Sequence, residues 1–157
     1  MRSMNAFASW LLLIVCGLVI SGCGTGSKHT FSGGGSVDLE RWQGRWLIVN
    51  YWAEWCAPCR MEIPELNELY ENYGERQLLV VGVNYDGLQG ESLSQVIDKM
   101  DIGFPVLESD PREIWAVEQP QVLPTTLIIG PNGDLVAELV GPQDQNSLLT
   151  IVQLDSG

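Results

Sequence analysis

Trp46-Leu-Ile-Val-Asn-Tyr-Trp-Ala-Glu-Trp-Cys-Ala-Pro-Cys-Arg60 is the stretch that decides the fold. Its first seven residues are β-branched or aromatic almost throughout, which reads as a buried strand. From Ala57 to Tyr73 the pattern changes to helical spacing, with Ile63, Leu66, Leu69, Tyr70 and Tyr73 on one side. Gly74 is placed to end that helix, and Pro64 predicts a kink within it. The two cysteines sit at the junction. Cys56 falls at the helix N-terminus, where unpaired N–H groups and the positive end of the dipole favour a thiolate. Cys59 is one turn further in, faces the same side, and is close enough to close a disulfide. The expected order of action is Cys56 first, as nucleophile, and the more buried Cys59 second, resolving a mixed disulfide. Pro58 fixes the backbone between them. A zinc site would need two further ligands that the folded region lacks. A purely structural disulfide gains little from so short a loop.

Beyond this junction strands and helices alternate. Gln77–Asn84 reads as a second buried strand and Glu91–Met100 as a helix. Phe104–Leu107 reads as a short extended piece and Pro111–Val117 as a short helix with proline in its first turn. Thr125–Ile129 and Leu135–Val140 read as strands joined by the turn Pro131-Asn-Gly-Asp134. Asn146–Leu154 reads as a closing helix. Strands separated by helices imply an α/β sheet, and the hairpin adds an antiparallel pair, so the sheet is expected to be mixed.

The chain has 157 residues, room for one domain, and 45% of them are apolar. Eight Lys and Arg stand against 20 Asp and Glu, a formal net charge of −12. That balance excludes nucleic acid as a partner bound through phosphates, and adhesion to anionic lipid by charge. No cofactor is implied, and a single histidine, His29, leaves no basis for a His-rich metal site. Residues 1–22 read as an export signal: Arg2, then the apolar run Ala6–Ile20, about 22 Å long as a helix and short for a membrane crossing. Ile20-Ser-Gly-Cys23 resembles the lipobox of bacterial lipoproteins, which implies cleavage before Cys23, lipid on Cys23, and attachment to a membrane through that lipid. Residues 23–36 then read as the lipidated Cys followed by a Gly/Ser tether, with His29 in a solvated tail. The folded domain is expected over 37–157. With Cys16 removed and Cys23 consumed, Cys56 and Cys59 are the remaining thiols.

Four segments in order carry a wider resemblance: Leu39-Glu-Arg-Trp-Gln-Gly44-Arg45, Val49-Asn-Tyr-Trp-Ala53, Cys59-Arg-Met-Glu-Ile-Pro64 and Val122-Leu-Pro-Thr-Thr126. Together with the WCAPC motif they resemble the thioredoxin superfamily, and within it the TlpA/ResA/DsbE-like thiol:disulfide oxidoreductases. The resemblance implies a thioredoxin-like α/β fold, a central mixed sheet flanked by helices. It implies that Pro124 is cis beside the disulfide. It implies that the Leu123 backbone, with Trp55, Ala57 and Pro58, meets an incoming substrate chain. Where thioredoxin itself carries a buried Asp, this chain has Asn50, whose amide accepts no proton. Glu62 stands three residues after the second Cys, as in the TlpA-like branch, and is the candidate proton acceptor for Cys59. The other reading of Glu62 is a helix-face acid like Glu65 or Glu68. Trp55 is expected to pack on the disulfide, Trp52 to enter the core, and Glu54 and Arg60 to be surface charges, Arg60 countering Glu54.

What the resemblance implies for function is a monomeric, extracytoplasmic reductase of exported cysteine-containing proteins. Examples are the clients of cytochrome c maturation or of oxidase copper-site assembly. A membrane electron donor of the DsbD or CcdA type would recycle it. Localisation would be the cell envelope, on the periplasmic side or the outer face of the cell membrane. The alternatives are a disulfide oxidase or isomerase and a redox-sensing binding module on the same fold. Ala57-Pro58 holds no histidine to strengthen a thiolate, which favours the reductase. A thiol peroxidase would place Thr-x-x-Cys before the helix, and this chain does not. Family members commonly carry an extra hairpin before the position of Leu39, which the Gly/Ser composition here is expected to replace.

Overall fold

The computed structural model describes residues 28–40, 42, 44–74 and 77–153. The signal segment and Cys23 lie outside the described residues, as does Leu154. Seven strands and three helices follow in the order β1 (Lys28–Thr30), β2 (Ser36–Asp38), β3 (Trp46–Trp52), α1 (Ala57–Tyr73), β4 (Leu78–Asn84), α2 (Gly90–Lys99), β5 (Val106–Leu107), β6 (Thr125–Ile129), β7 (Leu135–Val140) and α3 (Gln145–Ile151). A 3-10 turn, Arg112–Trp115, takes the place expected for a short helix. The main sheet has the order β5-β4-β3-β6-β7. β3 is parallel to β4 and antiparallel to β6, so the sheet is mixed as expected.

The period-2 rule explains the two-sided core. Ile48 and Trp52 of β3, Leu78 and Val80 of β4, and Ile128 of β6 face α1, α2 and α3. Leu47, Val49 and Tyr51, with Val81, Val83, Leu127 and Ile129, face the other way. There Leu39, Trp42 and the turn residues Ile114 and Trp115 cover them. Asn50 and Thr126 are opposite one another across β3 and β6, so both point to the α1 side. With Asn84 at the end of β4, that pair interrupts an otherwise apolar face of the sheet.

α1 begins and ends where the periodicity places it and continues through Pro64. Gly74 caps it in a right-handed conformation, so the glycine is needed for space: a Cβ there would lie 2.4 Å from the Tyr70 carbonyl oxygen.

The segment read as a tether is corrected. β1 and β2 form an antiparallel hairpin, turned by Gly33, Gly34 and Gly35, all at positive φ. The hairpin docks on the β5 edge. Ser32 N–H donates to the Val106 carbonyl (2.8 Å), Glu108 N–H donates to the Thr30 carbonyl (2.9 Å), and Phe31 bridges Leu107. This covers an edge that would otherwise present unpaired backbone groups. His29 is therefore 8% exposed rather than solvated, its Nδ1 2.9 Å from Ser109 Oγ. The folded unit extends at least to Lys28, and the hairpin expected to be missing is present.

Candidate active site

β3 leads through Ala53, Glu54 and Trp55 into Cys56, which is the N-cap of α1. Cys56 and Cys59 are joined as a disulfide with their Cα atoms 5.4 Å apart. Cys59 N–H donates to Cys56 Sγ at 3.2 Å. One of the helix's unpaired first-turn donors is thus spent on the Cys56 sulfur. No acidic side chain lies in the first turn of α1. Cys56 is 3% exposed and Cys59 0%, the expected order.

One turn beyond Cys59 on the same helix face lies Glu62, 1% exposed, which removes the reading of a solvated helix-face acid. Three donors meet its carboxylate. Asn50 Nδ2 reaches Oε2 at 2.8 Å, Thr126 Oγ1 reaches Oε1 at 3.3 Å, and the Gln143 backbone N–H reaches Oε1 at 3.1 Å. Burial nevertheless pushes the Glu62 carboxyl above its ordinary value, and these three hydrogen bonds oppose the shift only in part. A carboxyl raised by burial next to a buried thiol is chemically able to take up a proton.

The Leu123–Pro124 peptide bond is cis. Because β6 runs antiparallel to β3, its first residues lie at the same end of the sheet as the exit of β3. That geometry brings the Val122–Pro124 segment to the disulfide end. Pro124 is buried and its carbonyl accepts from Gly141 N–H at 2.9 Å, while Leu123 packs against both core clusters. Thr125 Oγ1 donates to the Val122 carbonyl at 2.8 Å. Ala57 and Val122 are exposed and Pro58 half-buried.

Trp52 is fully buried, as expected, whereas Trp55 is 65% exposed. Its recorded partners lie in the loop after β4. Nε1–H is shared between the two Asp86 carboxylate oxygens at 3.1 and 3.2 Å, and the Tyr85 ring meets the indole edge-on at 6.2 Å. Glu54 is paired with Lys99 of α2, which holds its carboxyl below the ordinary value. Arg60 donates to the Glu54 backbone carbonyl at 2.6 Å, so Lys99 is the main countercharge and Arg60 adds a smaller one, in the expected direction. Thr126, Gln143, Tyr85, Asp86 and Lys99 all come to the site from distant segments. The one local signal for any of them is that Thr126 follows the Pro124 loop. Among the described residues no group of three or more His, Cys, Asp or Glu side chains is placed to hold a metal ion.

Comparison with known proteins gives a consistent result. The model of the AhpC/TSA family matches residues 27–138, a span that begins at the hairpin. The thiol-disulfide oxidoreductase ResA of Oceanobacillus iheyensis is 35% identical over 100 residues, 64% of this chain and 52% of that protein. The chain thus spans about half the length of that curated relative. The crystal structure of StoA from Bacillus subtilis superposes with a TM-score of 0.65 at 20% identity, covering 80% of this chain and 94% of that one. The exposed lipoprotein thioredoxin of Streptococcus pneumoniae gives 0.65 at 23% identity, covering 81% and 97%. These likenesses establish the thioredoxin-like fold.

Proposed function

The chain belongs to the AhpC/TSA family, and from that premise we propose that it is a thiol:disulfide oxidoreductase that reduces disulfides of exported proteins outside the cytoplasm. The observation that carries the reading is the seating of the cysteine pair: Cys56 Sγ caps α1 and receives the Cys59 N–H, above a buried Glu62. In the reduced protein the Cys56 thiolate attacks a substrate disulfide. A Cys56–substrate bond forms and one substrate sulfur leaves as thiolate. Cys59 gives its proton to Glu62 and attacks Cys56 Sγ. The Cys56–Cys59 bond closes, the second substrate sulfur departs, and two electrons have passed to the substrate. Pro124, Leu123, Ala57, Pro58 and Trp55 border the site and receive the substrate chain.

Lipid on Cys23 would hold the domain at a membrane, where a DsbD- or CcdA-type donor would return electrons to the pair. Clients of cytochrome c maturation or copper-site assembly match this chemistry, since their cysteines must stay reduced outside the cytoplasm. The test is the reduction potential of the Cys56–Cys59 couple. A value near that of thioredoxin, about −270 mV, is expected; one near about −120 mV would make the protein an oxidant and overturn the reductase reading. The Cys59→Ser variant should then retain its client as a mixed disulfide on Cys56. Labelled palmitate should mark the protein and not its Cys23→Ala variant.

A further inference from the structure

Asn50 is fully buried and uses its amide unevenly. Nδ2 donates to Glu62 Oε2 at 2.8 Å and to Thr126 Oγ1 at 3.0 Å, while Oδ1 is buried without a hydrogen-bond partner among the described residues. A buried acceptor left unpaired is costly and asks for an explanation. The surroundings of Glu62 are equally one-sided. Its carboxylate meets an amide N–H, a hydroxyl and a backbone N–H, and none of these carries a charge. Every partner is a donor, which suits the ionised acid.

A protonated Glu62 reverses the requirement. Its O–H then needs an acceptor, and an Asn50 N–H aimed at the same oxygen becomes a donor facing a donor. The spare acceptor is on the same amide group. A half-turn of the Asn50 amide exchanges Nδ2 for Oδ1, two groups of nearly equal size. Thr126 Oγ1 can turn its hydroxyl to serve either arrangement. A leucine of similar volume at position 50 would serve neither, and an aspartate would set a like charge against Glu62.

We propose that Asn50 is a positioning residue of the exchange reaction: its amide turns with the protonation of Glu62, offering N–H to the carboxylate and C=O to the acid. This rests on the reading of Cys56–Cys59 as an exchanging pair. In the resolving step Cys59 S–H loses its proton to Glu62 and the amide turns. The Cys59 thiolate then forms the bond to Cys56 Sγ as the Cys56–substrate bond breaks. The departing thiolate is protonated by solvent, Glu62 gives its proton up to solvent, and the amide turns back. The Oδ1 atom without a partner in the present arrangement is the acceptor held for the other state.

The test uses two measurements on the full-length protein. The first is NMR of the wild-type disulfide form. The Glu62 carboxyl carbon and the Asn50 side-chain amide are followed across pH, with expected coincident midpoints and a change of the amide proton shifts. An Asn50 amide indifferent to the Glu62 titration overturns the proposal, and this needs no variant. The second is the rate at which Cys59 expels glutathione from a Cys56–glutathione mixed disulfide. Asn50→Leu should slow it by about tenfold or more at neutral pH and displace its pH profile, with Cys56 alkylation in the reduced enzyme within about twofold of wild type. An unchanged rate and profile in folded Asn50→Leu also overturns it. If the wild-type protein never expels glutathione, the oxidoreductase reading itself fails, whatever the NMR result.

Discussion

Asp86→Ala should weaken substrate capture while leaving the fold and the redox couple alone. Trp55 is 65% exposed, so its indole adds little to folding, yet it is held from two sides by the Asp86 carboxylate and the Tyr85 ring edge. On the proposed function, a fixed, exposed aromatic next to Cys56 in the chain would serve as a preorganised contact surface. Removing the carboxylate leaves the edge-on Tyr85 contact but frees the indole to rotate. Ordering it again on binding should cost about 0.5–1.5 kcal/mol, which raises KM by about 2- to 10-fold. Unfolding free energy should move by less than about 0.5 kcal/mol, as for other surface substitutions. Steady-state reduction of a disulfide-bonded peptide measures the kinetic effect, and urea titration measures the stability.

Charge must be separated from hydrogen bonding, because the Asp86 side chain supplies both to the indole. Asp86→Asn does this: its Oδ1 still accepts the indole N–H, and the charge is gone. Asn should keep KM near wild type where Ala does not, and kcat should change in neither. Equal impairment in Asn and Ala would show that the charge matters and not the anchor. A wild-type KM in Ala would remove Trp55 fixation as a contributor.

Gly82→Ala should destabilise the domain by about 1–3 kcal/mol, read by urea titration, because the added Cβ would lie 2.7 Å from Trp52 Nε1 and 3.0 Å from the Phe104 ring. His29→Ala should cost about 1–3 kcal/mol by the same assay through lost packing and the lost Ser109 hydrogen bond; a neutral result would mean that the buried imidazole contributes nothing to the fold. Burial raises the Glu62 carboxyl above 4.5 in the folded state, so the native protein binds more protons than the unfolded chain. Stability should therefore fall as pH rises above about 4.5 toward the raised value, and Glu62→Gln should flatten that slope when urea midpoints are compared across pH.

The parts of the site that lie in one continuous segment are legible in the sequence. The strand, the Cys-x-x-Cys and the start and stop of α1 follow from residue type and spacing alone, because each is decided by neighbours within a turn or two. The cis state of Pro124 was legible only through resemblance, since a Leu-Pro pair carries no local mark of it. The hairpin at Lys28–Asp38 was hidden for a physical reason. Its strands are three residues each, its turn carries three glycines, and its pairing partner is the β5 edge, Phe31 against Leu107 and Ser32 against Val106, far along the chain. Gly and Ser composition signals a tether only when no distant edge is waiting to be paired. The surroundings of Glu62 were hidden likewise. Its three partners come from β3, β6 and the loop before α3, which meet only when the sheet is assembled.

The acid excess of the chain poses a last question, since negative charge near Cys56 opposes the thiolate that the helix terminus favours. A helix N-terminus stabilises an anion by about 0.3–1 kcal/mol at an exposed site and up to about 2 kcal/mol where it is more buried, at most about 1.5 pKa units. An uncompensated carboxylate nearby would offset part of a term of that size. The arrangement answers this by keeping each neighbouring acid occupied. Glu54, two residues before Cys56, is paired with Lys99. Asp86 is turned to the Trp55 indole. The first turn of α1 is free of acids, and Glu62 in the second turn is enclosed by three donors. Lys99→Ala should therefore reach Cys56 without touching it: freeing the Glu54 charge raises the pH midpoint of Cys56 alkylation by a few tenths of a unit at low salt. The shift should disappear at about 1 M salt, where the screening length falls to about 3 Å. A shift that persists at high salt would mean that Lys99 acts through structure and not through charge.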